Sequence, residues 1–105
     1  QKAWGELGID VDVEVVEWAS FTPMRRNGDY MSSRNGWVGD YSDPSNILEL
    51  FTTDNGNNDG KYSNPEFDAV IEKSRTTTDA AERSAALHEA EDILMDDAAC
   101  IPVAY

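Results

Sequence analysis

A chain of 105 residues with 40% hydrophobic content can bury one modest core. Its 21 acidic and 8 basic side chains leave a net charge of -13, which repels phosphate backbones and anionic lipid and so argues against nucleic-acid and membrane-surface binding. The single cysteine excludes an intrachain disulfide and a multi-cysteine metal site, and the longest apolar run falls far short of the ~20 residues a membrane helix needs.

In chain order, Gln1 opens within what reads as the end of a helix, so the chain is expected to be a piece of something longer; Gly8 closes that helix. Ile9, Val11, Val13 and Val15 then alternate with Asp10, Asp12 and Glu14, the period of two that marks a half-buried strand. Ser20 is a candidate cap for a short helix through Phe21, Met24 and Arg25, with Gly28 placed to stop it in a left-handed conformation. A second strand is expected over residues 30–38. Asp43 and Pro44 read as the cap and first residue of a helix carrying Ile47, Leu48, Leu50 and Phe51.

Residues 52–60 are rich in Asn, Asp and Gly and predict a solvent-exposed loop. Ser63 or Asn64 caps the next helix, Pro65 fixes its first turn, and Phe67, Val70, Ile71 and Ser74 recur at helical spacing. Asp79 with Glu82 resembles a capping box for a longer helix to about Asp97, with Ala86, Leu87, Ala90, Ile93 and Leu94 as its inner stripe. The apolar stretch 100–105 reads as a buried strand in which Cys100 is a small buried thiol. Strands alternating with helices predict an α/β fold over 1–105, a mixed sheet with flanking helices.

The most informative stretch is Arg34-Asn35-Gly36-Trp37-Val38-Gly39-Asp40-Tyr41-Ser42-Asp43-Pro44. Gly36 and Gly39 present no side chain, so another backbone can approach closely, and an open strand edge there could pair with an extended peptide. Asp40, just past the strand end, can receive an ammonium in a charge-assisted hydrogen bond. Residue types alone favour the plainer reading, with Trp37 as a core anchor, the glycines as turn formers and Asp40 as a loop acid.

This stretch does not stand alone. Together with Leu7-Gly8-Ile9-Asp10-Val11, Glu17-Trp18, Tyr62-Ser63-Asn64-Pro65-Glu66-Phe67-Asp68 and Ile101-Pro102-Val103-Ala104-Tyr105, in that order, it resembles the C-terminal part of the oligopeptide- and dipeptide-binding proteins, the extracytoplasmic solute-binding components of ABC importers. The resemblance implies part of one lobe of a two-lobed periplasmic-binding-protein fold, a periplasmic or cell-surface location, a peptide ligand, docking on transporter membrane subunits and no cofactor. Lipid anchoring of the parent protein stays open. It also implies that Asp40 receives the ligand α-ammonium, that Gly36, Trp37 and Val38 contact the ligand backbone, and that Arg34 helps hold the carboxylate of a short peptide. Relatives that carry nickel or sugars tend to lack the aspartate. Ser33 and Asn35 depart from the small apolar residues of the commonest pattern and alter the neighbouring side-chain pocket.

Two competing chemistries are weighed against this. Asn55-x-Asn57-x-Asp59-Gly60 with Glu66 at the twelfth place mimics an EF-hand calcium loop, although Asn stands where the motif wants Asp and Pro65 crowds the bidentate acid. Catalysis is disfavoured: His88 is the only histidine, it sits at the margin of a helix stripe, and Ser84 one turn earlier lies in continuous helix with no oxyanion donor. The expected mechanism is binding, with a stand-alone α/β interaction domain that takes no ligand as the remaining alternative.

Overall fold

The computed structural model describes residues 1–103. Helices α1 (Lys2–Gly5), α2 (Trp18–Asn27), α3 (Ser45–Leu48), α4 (Pro65–Thr76) and α5 (Ala80–Asp96) follow in order, with α3 running on into a 3-10 turn, Glu49–Phe51. The core is the antiparallel pair α4 and α5, joined by residues 77–79, with α3 laid against α5.

Local chemistry explains the pair. Asn64 Oδ1 accepts from the amides of Glu66 and Phe67 at the start of α4, Pro65 needs no amide partner in the first turn, and Asp79 Oδ1 accepts from Ala81 and Glu82 at 3.0 and 2.9 Å to start α5. Buried Ala86 and Ala90 let the α5 backbone approach α4 closely, and Phe67, Ile71 and Leu94 fill the seam. Tyr62 stands edge-on to Phe67, 5.6 Å between centroids, and donates its hydroxyl to Asp97 Oδ2 at 2.6 Å; burial and that carboxylate push Tyr62 up to about 12. Cys100 packs half-buried against this core, and burial pushes its thiol up, as the expected small apolar role requires. His88 is instead exposed, 3.8 Å from Glu91 on the outer face of α5.

The expected α/β architecture is not what forms. Among the described residues there is no strand, hence no mixed sheet, and the fold of this chain is helical with irregular connections. Residues 9–15 form no regular element, and the predicted alternation does not become burial: Ile9 is 45%, Val13 60% and Val15 91% exposed. The reason is that a strand is defined by its ladder of hydrogen bonds to a neighbour. Alternation encodes which side would be buried and nothing about who supplies the neighbour, and no other described segment forms a ladder with this one. The same holds for residues 33–38 and 100–103; residues 104–105 of the expected final strand lie outside the described residues.

Two smaller corrections concern α2 and the polar loop. Helix α2 starts at Trp18, with Glu17 as its cap residue, so Ser20 lies inside the first turn. Its end is as expected: Gly28 adopts φ 76°, and Arg25 and Arg26 occupy the last turn, where the helix dipole favours cations. The loop 52–60 is not simply solvated. Asn58 is buried, donating to the carbonyls of Thr52 and Tyr62 and accepting from the Tyr62 amide, and Asp59 is buried against Arg25.

Candidate functional site

Residues 33–39 cross the surface without regular secondary structure between two fixed points. At the first, Arg25 of α2 donates from Nη1 to Asn35 Oδ1 at 3.2 Å, and the same oxygen accepts from the Gly36 amide at 2.7 Å. Arg25 is itself held by the rings of Phe21 and Trp18, 5.6 and 6.0 Å from their centroids, and by Asp59. Its Nε lies 2.7 Å from Asp59 Oδ2 without an N–H directed at that oxygen, so the contact is ionic. At the second fixed point, Asn46 of α3 accepts at Oδ1 from Trp37 Nε1 at 2.9 Å and from the Asp40 amide at 3.3 Å.

Below Asn46, the start of α3 is secured by an ion pair. Asp43 Oδ1 accepts from the Ser45 amide at 2.9 Å, the cap geometry expected for Asp43-Pro44. Arg83 of α5 grips both Asp43 oxygens at 2.8 and 2.9 Å, and this bidentate bond together with the Ser45 amide holds the Asp43 carboxyl far below the usual carboxylate range. The Tyr41 hydroxyl lies 3.3 Å from Ser45 Oγ.

The five residues singled out from the sequence lie together on this segment, all on the exposed side. Gly36 has open space where a β-carbon would stand, so an incoming backbone meets no obstacle there. Gly39 faces inward: a β-carbon there would make ordinary contact with Asn46 Oδ1 at 3.5 Å. Trp37 is 43% exposed with its indole edge tied inward, Val38 projects into solvent, and Arg34 is exposed. Among the described residues no cation pairs with the carboxylate of Asp40, in contrast to Asp43 three positions on. Asp40 does not sit in an enclosed cavity; the nearest concavity is a shallow depression of about 330 Å³ lined by its neighbours Gly39 and Tyr41 with Pro44, Asn46 and Ile47.

Asn46 is the residue that sequence reasoning missed. A single asparagine in Ser-Asn-Ile-Leu is no motif, and its importance comes from being buried on a helix that looks soluble at that position. The calcium-like loop is spoken for: Asp59 is on Arg25, and Asn55 Oδ1 accepts from the Asn57 amide in an Asx turn. No cluster of three His, Cys, Asp or Glu converges there or elsewhere among the described residues.

Comparison with known proteins decides the family. The model of the bacterial extracellular solute-binding proteins, family 5 Middle, matches residues 1–59. The chain belongs to the family 5 solute-binding proteins. The oligopeptide-binding protein OppA of Bacillus subtilis is 39% identical over the whole of this chain, and the probable deoxycholate-binding periplasmic protein YgiS of Escherichia coli is 36% identical over 99% of it. Haemophilus influenzae OppA, solved in complex with the peptide RPPGFSPFR, superposes with a TM-score of 0.88 at 37% identity over 97% of the chain. The chain spans about a fifth of each: 20% of the Bacillus protein, 19% of the Escherichia protein and 20% of the Haemophilus chain. Family 5 membership accounts for the five ordered sequence blocks, and the high TM-score means that the helices, the irregular segments and their relative placement follow a solved family 5 structure.

Proposed function

We propose that this chain forms one wall of a peptide-binding cleft in an extracytoplasmic solute-binding protein that delivers its ligand to an ABC importer. Binding, with no catalytic step, is the activity. In this reading Gly36, Trp37 and Val38 meet the ligand backbone, Asp40 receives the α-ammonium and Arg34 assists with the carboxylate of a short peptide. The observation that carries it is the pairing state of the two acids: Asp43 is consumed by Arg83, whereas Asp40 stands exposed at the end of an irregular, unpaired segment whose Gly36 leaves room for another backbone. An exposed segment without a ladder partner is a surface onto which a peptide can add by strand pairing, which is indifferent to side-chain sequence. The peptide named with Haemophilus influenzae OppA supports the same ligand class.

YgiS favours a second reading, since its name gives deoxycholate, a ligand without an ammonium group. One experiment separates the two. In the full-length protein, a free-amine peptide is expected to bind roughly 10- to 100-fold more tightly than its acetylated twin, the value of a charged hydrogen bond. Asp40→Ala is expected to bind the two alike, as titration calorimetry would register. Equal affinity of the unaltered protein for both peptides would move the reading to a non-peptide cargo.

A further inference from the structure

We propose that Asn46 is the positioning residue of this segment: one buried carboxamide oxygen fixes both the Trp37 indole and the Asp40 backbone, and through them the direction in which the Asp40 carboxylate faces a ligand. The consequence for ligand binding rests on the proposed amine-binding role of Asp40; the positioning itself rests on geometry alone.

Asn46 is 7% exposed, while the groups it holds are on the surface. An amide oxygen has two lone pairs, and the Trp37 Nε1–H and the Asp40 N–H occupy both, at 2.9 and 3.3 Å. The oxygen is therefore saturated from within, and Asn46 acts through Trp37 and Asp40 instead of touching ligand. Gly39 lies between the two donors and faces the same atom, its β-carbon position 3.5 Å from Asn46 Oδ1. The platform beneath is fixed as well: α3 is capped by Asp43, and Asp43 is clamped by Arg83 of α5. A line of directed bonds thus runs from α5 through α3 to the exposed acid, and Asn46 is its last internal link.

The test uses the full-length protein and two readouts. The first is the Trp37 indole N–H resonance, assigned with Trp37→Phe; it is expected downfield and protected from solvent exchange. Asn46→Leu, close in size but without an acceptor, is expected to return it to a solvent-like position and to weaken free-amine peptide binding about tenfold, narrowing the preference over the acetylated twin. Asn46→Asp keeps the oxygen and is expected to retain the resonance and affinity within about twofold. If Asn46→Leu does not fold, Asn46→Ala is read in the same way, and a solvent-like indole N–H in the unaltered protein would by itself overturn the proposal. An unchanged resonance, or an unchanged preference, in Asn46→Leu would also overturn it. Loss of peptide preference in the unaltered protein, with the indole shift still dependent on residue 46, would sink the role of Asp40 and leave the positioning standing.

Discussion

Asp40 and Asp43 are the same residue type three positions apart, yet one is exposed without a cationic partner among the described residues and the other is clamped by Arg83. Asp43 is neutralised by the Arg83 fork and the Ser45 amide, so its carboxylate is part of the scaffold. Its folded pKa lies below the ordinary 3.8, so the pairing stabilises the protein above that value and is lost as pH falls through the depressed one. Asp43→Asn is therefore expected to melt at a lower temperature than the unaltered protein near pH 7, and thermal melting across pH 7 to 2 should show that difference shrinking at the acid end. At this scale the sequence showed the capping role of Asp43 and picked out Asp40 through its family blocks. It could not show Arg83 or Asn46, because their partners are 40 and six to nine residues away and no local pattern records them.

At the scale of elements, legibility followed how local each signal is. Helices α4 and α5 were expected within a residue or two because caps, first-turn proline and apolar stripe all lie inside the element that they define. The three expected strands failed because half of what makes a strand lies elsewhere. The energetics concentrate in the α4–α5 seam, where Phe67 has 0% exposure and no polar atom to satisfy. Phe67→Ala is expected to cost about 3–5 kcal/mol by urea denaturation, the sum of lost transfer energy and the cavity left behind. A loss below about 1 kcal/mol, the scale of surface substitutions, would mean that the seam is not the stabilising element.

Over the whole molecule, burial is lopsided. No residue before Ser45 is buried, and the radius of gyration of 15.8 Å exceeds the roughly 13 Å of a compact domain this long. The 105-residue chain studied alone is thus expected to protect its amides in α4 and α5 and to exchange those of residues 9–16 almost freely, with hydrogen exchange read by mass spectrometry as the check. Strong protection at 9–16 in the isolated chain would show a partner that this backbone lacks here. Composition allowed one modest core, but did not show that it would begin only at Leu48.

The segment from Asn35 to Asp40 is suspended like a short span, with Arg25 as one abutment and Asn46 as the other. A load placed at its middle, on Gly36 to Val38, is carried both to α2 and, by way of Asp43 and Arg83, to α5. The position of this crossing is therefore set by two helices at once, α2 through Arg25 and α3 through Asn46.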